Sequence, residues 1–89
     1  MRAIITVIGK DKPGIIAEVC TLLASCKINI LDISQTVMEG FFTMTMLIDM
    51  KECLVPFAEI SEKLSKKGEE MNLSIRVQRE DIFDKMHRI

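Results

Sequence analysis

The reading of the fold turns on Arg2-Ala3-Ile4-Ile5-Thr6-Val7-Ile8, then Gly9-Lys10-Asp11-Lys12-Pro13-Gly14, then Ile15-Ile16-Ala17-Glu18-Val19. The first seven residues alternate and are rich in Ile and Val, which predicts a strand. The next six hold two glycines, a proline and an aspartate, the composition of a turn. Beyond them Ile15, Val19, Leu22, Leu23 and Cys26 share one stripe, the spacing of a helix with one buried face. Asp11 is placed to cap that helix, and Pro13 is tolerated in its first turn.

Working outward, Lys27 and Asn29 mark the end of this helix, and a second strand is expected over Ile28 to Met38. Glu39-Gly40 makes a tight turn into a third strand, Phe41 to Met50, paired with the second as a hairpin. In the third strand Phe42, Met44, Met46, Ile48 and Met50 share a face that reads as core. Phe41, Thr43, Thr45, Leu47 and Asp49 share a face that reads as half-wet. Pro56 opens a second helix with Phe57, Ile60 and Leu64 in register, ending near Gly68 to Met71. Leu73, Ile75 and Val77 alternate with Ser74, Arg76 and Gln78 in a fourth strand ending at Arg79. The order is β-α-β-β-α-β.

Right-handed crossovers then leave a ferredoxin-like α+β sandwich, with antiparallel sheet order 4-1-3-2 and both helices on one face. This domain takes residues 1–79. Residues 80–89 carry Ile82, Phe83, Met86 and Ile89 at helical spacing, which predicts a short C-terminal amphipathic helix.

At 89 residues there is room for one core and no second domain. Hydrophobic residues make up 48% and charged residues 28%, a globular, soluble composition. The stretch from Phe41 to Ile48 is too short and too rich in Thr to span a bilayer. The opening residues lack the h-region of a signal peptide, so the expected location is cytoplasmic. A net charge of −1 without a basic stripe argues against nucleic acid as a partner, and nothing points to a membrane.

Cys20, Cys26 and Cys53 are odd in number and lack C-x-x-C spacing, so neither a disulfide framework nor a metal site is expected. The single histidine, His87, has no nucleophile beside it, and neither a G-x-G-x-x-G nor a P-loop motif occurs. No catalytic residue and no cofactor is therefore assigned. An enzyme handling phosphate on this fold would need an arginine in the first loop, which offers only Lys10 and Lys12. An RNA-binding version would need stacking aromatics on its central strands, and only Phe41 is available on the open face.

The stretch Asp11-Lys12-Pro13-Gly14-Ile15-Ile16-Ala17, followed by Ile28-Asn29-Ile30, resembles the signature of the ACT domain, a βαββαβ regulatory module that binds amino acids and related metabolites. The resemblance covers essentially the whole chain and is closest in kind to short, free-standing bacterial members. It extends to the N-terminal ACT domains of formyltetrahydrofolate deformylase and of glycine-cleavage repressors. It implies a small-molecule effector bound at a homodimer interface, with an interaction-only dimer, or one serving an unknown protein partner, as the alternative. The chain departs from serine-binding members, some of which place His where Gly9 stands and Asn where Asp11 stands.

The residues give a physical reason for a site at the first turn. Unpaired backbone N–H groups and the positive end of the helix dipole favour an anion there. A carboxylate would sit against the amides of Gly14, Ile15 and Ile16, which the missing Cβ of Gly14 leaves open to close approach. Asp11 offers a counter-charge to an ammonium group. Gly9, Lys12 and Pro13 complete the candidate ligand-binding set from the loop. Asn29 joins it from elsewhere. The first and second strands run parallel, so Asn29 lies at the opposite end of the sheet within one chain. Pairing the second strands of two copies about a two-fold axis would carry each Asn29 towards the other copy's loop.

Overall fold

The computed structural model describes residues 1–81. Alternation at the start of the chain gives β1 (Arg2–Lys10), which buries Ala3, Ile5 and Val7 completely and leaves Ile4, Thr6 and Ile8 on the other side. The helix α1 (Ile15–Ser25) buries Ile15, Val19 and Leu23, with Leu22 and Cys26 half-buried at its flank. It ends in a Schellman arrangement. Lys27 takes φ 58°, its amide donates to the Ala24 carbonyl, and the amide of Ile28 donates to the Leu23 carbonyl.

The strand β2 (Asn29–Met38) returns antiparallel to β3 (Phe41–Asp49). Glu39 and Gly40 join them with φ 49° and 83°, the two positive values a type I′ hairpin needs. The expected division of the third strand holds: Phe42, Met44, Met46, Ile48 and Met50 are buried, and Phe41, Thr43 and Thr45 are exposed. Pro56 precedes α2 (Phe57–Met71), whose Ile60 and Leu64 are fully buried. The chain closes the sheet with β4 (Leu73–Arg79).

The sheet order is β2-β3-β1-β4, the order expected from the crossovers. Both helices cover the face that carries Ile5, Val7, Met44, Met46 and Ile48, each worth about 1.5–3 kcal/mol on full burial. The opposite face is open. Where β2 runs along the edge it is exposed from Leu31 to Met38, including Leu31, Ile33, Val37 and Met38. A bulge at Leu31 separates the Ile30–Ile48 pair from the Asp32–Leu47 pair. The amphipathic tail expected after the fourth strand lies, from residue 82 on, outside the described residues.

Candidate functional site

The connection from β1 to α1 is anchored at both ends by backbone hydrogen bonds. The Asp11 amide donates to the Gly40 carbonyl at 2.7 Å, which ties the loop to the β2–β3 hairpin. The Glu18 amide donates to the Gly14 carbonyl at 2.9 Å, the first bond of the helix. The amides of Ile15, Ile16 and Ala17 precede it and have no acceptor within the helix ladder.

Two expectations about this loop are corrected. Asp11 does not cap α1: the N-cap is Gly14, at φ 88°, and no side chain bonds the first turn. Three residues separate the Asp11 carboxylate from the helix, and the left-handed turn at Gly14 sets the entry angle instead. Pro13 accordingly stands before the helix and not in its first turn.

Around this turn lies a shallow notch of about 230 Å³, lined by Asp11, Lys12, Gly14, Ile15, Ile16, Ala17 and Phe42. Five of the eight expected residues thus meet in one place. Phe42 and Ala17 were not foreseen. Phe42 reads from its alternation as pure core, and the β1–β3 register that sets it opposite Gly9, where the loop begins, is a pairing no local pattern announces.

The other three fall elsewhere. Gly9 has a packing role: a Cβ there would stand 2.5 Å from Leu73 Cδ2 and 3.3 Å from the Asn72 carbonyl oxygen. Pro13 does not line the notch. Asn29 opens β2 opposite Asp49, while the loop leaves β1 beyond the Lys10–Phe41 pair. Eight residues of β3 separate those levels, roughly 27 Å of extended chain. Asn29 is exposed, and Lys27 takes the left-handed turn at the helix end, so Asn29 is not occupied with ending α1.

Charges around the notch are sparse. The Lys12 Nζ donates to the Met71 carbonyl at the end of α2, where a cation suits both the orphan carbonyl and the helix dipole. Lys67 on α2 meets Glu18 of α1 at 3.1 Å and Glu70 at 3.4 Å. Its hydrogen bond to Glu18, and the charge of that carboxylate, hold the ammonium pKa above its ordinary value. Among the described residues no polar or charged side chain is buried and no cluster of three metal-ligating side chains occurs. What the arrangement offers is recognition: three amide donors, one carboxylate and an apolar wall.

Comparison with known proteins agrees with the fold. The chain is 54% identical over 89 residues to a UPF0237 protein of Clostridium acetobutylicum, covering the whole of both. An ACT domain protein from Streptococcus pneumoniae matches with TM-score 0.83 and 41% identity over 93% of each chain. A protein described as a glycine cleavage system transcriptional repressor gives 0.74 and 28%, over 86% of this chain and 44% of that one. A formyltetrahydrofolate deformylase from Pseudomonas syringae gives 0.76 and 27%, over 88% of this chain and 27% of that one. A family model of the ACT domain matches residues 2–78, four strands and two helices together, and the chain therefore belongs to the ACT-domain family of regulatory, ligand-binding modules.

Proposed function

We propose that this chain is a cytoplasmic homodimeric sensor that binds a small amino acid or a related metabolite between subunits and has no catalytic activity of its own. The observation that carries the reading is the position of Asn29. It stands exposed at the start of an edge strand, roughly 27 Å along the sheet from the notch of its own chain.

Antiparallel pairing of two β2 strands reverses that separation. In a register centred between Ile33 and Ser34, Asn29 of the partner subunit would stand beside Met38, and Met38 lies next to the hairpin whose Gly40 carbonyl holds Asp11. The free edge and its exposed Ile33 and Val37 support the pairing, since an uncovered apolar edge strand is a template for a second chain. A ligand carboxylate then meets the amides of Ile15 and Ile16. Its ammonium meets Asp11, and the side-chain amide of Asn29 serves either group. A site built from two subunits links occupancy to dimerisation, which is the coupling a regulatory module needs.

The test is a thermal-shift and equilibrium-dialysis screen of the common amino acids against the wild type, Asp11→Ala and Asn29→Ala. The expected result is a stabilising hit in the wild type that both variants lose by tenfold or more in affinity, since each removes a charge-assisted or paired hydrogen bond worth about 1.5–3 kcal/mol. A wild type that dimerises yet answers no amino acid at millimolar concentration supports the interaction-only reading instead.

A further inference from the structure

The sheet face turned away from the helices carries its own polar group at mid-strand. Arg76 stands at the centre of β4, directly opposite Thr6 of β1, with Ile8 opposite Ser74. Side chains at i, i±2 and across a strand pair share one face within about 5–8 Å, so the two hydroxyls bracket the guanidinium. Together with Gln78 these residues line a depression of about 320 Å³, larger than the notch at α1.

Arg76 differs from the other arginines among the described residues. Arg2 is ion-paired with Glu80 at 3.0 Å and Arg79 with Asp81 at 3.1 Å. Arg76 has no carboxylate within 4.0 Å among the described residues. Among the described residues, Asp32 on β2 and Asp49 on β3 stand away from it. Asp49 lies four residues along β3 from the Thr45–Thr6–Arg76 level, about 13 Å, and Asp32 accepts from the amide of Ile33. A planar guanidinium with no carboxylate beside it among the described residues, flanked by hydroxyls and one aliphatic side chain, matches the geometry of a carboxylate or phosphate.

We propose that Arg76, with Thr6 and Ser74, forms a second ligand site on the open sheet face, specific for the oxyanion group of a small metabolite. It is separate from the notch at α1, which lies on the other side of the sheet, and it does not depend on dimerisation through β2. The guanidinium donates two parallel N–H bonds to the oxyanion, the hydroxyls donate from the flanks, and Ile8 shields one side.

The experiment is an NMR titration of the isotope-labelled full chain with inorganic phosphate and, separately, with succinate, ionic strength being held constant with sodium chloride. The expected result is a saturable shift of Thr6, Ile8, Ser74 and Arg76 with one of the two probes, which also tells phosphate from carboxylate. Arg76→Gln should weaken that affinity by roughly tenfold or more, with Arg76→Lys between the two, as for loss of a charged hydrogen-bond partner. Arg76 is exposed, and the melting temperatures of both variants verify their folding. The proposal is overturned by shifts that rise without saturating, by an affinity that Arg76→Gln leaves unchanged, or by shifts confined to Gly14, Ile15 and Ile16. A response to an acidic peptide alone also overturns it and assigns the face to a protein partner.

Discussion

Two glycines at the ends of one loop do different physical work, and substitution separates them. Gly14 takes φ 88° with open space where a Cβ would go. Gly14→Ala therefore meets only backbone strain, and urea unfolding should show a loss of about 1–2 kcal/mol, the ordinary cost of a left-handed residue bearing a Cβ. Gly9 sits in a strand, and its hypothetical Cβ runs into Leu73. Gly9→Ala should lose about 1–3 kcal/mol by overpacking, and trimming the neighbour in a Gly9→Ala, Leu73→Val double variant should recover part of it. Equal losses for Gly9→Ala with and without the trimmed Leu73 would refute the packing account. This contrast also marks what the residues alone disclose. The turn was legible from Gly9–Gly14, because glycine and proline punctuate a chain strongly. The job of each glycine was not, since Leu73 arrives from 64 residues away. Asp11 misled for a related reason: its type suits a cap, but a turn of defined geometry intervenes before the helix.

Among the elements, the strands and helices were readable because a single face is buried and the periods of 2 and 3.6 survive in the residue types. The edge strand was legible in its bounds, Ile28 to Met38 against the observed Asn29–Met38, but not in its faces. In β2 neither face is fully covered within one chain, so Ile30, Leu31 and Ile33 carry no alternation, and the bulge between Ile30 and Asp32 has no local signature. That uncovered edge predicts its own test. Introducing Ile33→Lys and Val37→Lys should leave the monomer fold intact by circular dichroism while shifting sedimentation to the single-chain mass, because inward charges block edge pairing. A dimer that survives both lysines would place its interface elsewhere. Between the helices, the Lys67–Glu18 bridge gives a second outcome with a definite sign. The folded-state pKa of Lys67 is raised, so its contribution is fully present below the unfolded value near 10.5 and disappears as pH rises through the higher folded value. The stability gap between wild type and Lys67→Met should thus hold constant through neutral pH and close in strong alkali. A gap that closes below pH 9 would point to a different partner for the ammonium.

For the whole molecule, one core on one side of a four-stranded sheet leaves much of the chain's surface uncovered, as is general for domains of this size. Each candidate ligand position follows from that arrangement: one at the rim where α1 begins, one on the bare face, and one residue, Asn29, stranded at the far end of an open edge. The family assignment was legible because Asp11–Ala17 and Ile28–Ile30 are contiguous motifs; the proposed meeting of Asn29 with the notch would be a property of two chains, which no single sequence encodes locally. If folding and pairing are linked, mass action makes the melting temperature rise with protein concentration, and a ligand held between subunits adds RT ln(1 + [L]/Kd), about 2.7 kcal/mol at a hundredfold excess over Kd. The two effects should be coupled: the ligand-induced shift should shrink in the Ile33→Lys, Val37→Lys variant at any ligand concentration that saturates the wild type. Calorimetry over a hundredfold range of protein concentration checks this directly. A melting temperature independent of concentration, together with an undiminished ligand shift in the lysine variant, would mean that a single chain completes its own site and that Asn29 has no part in it.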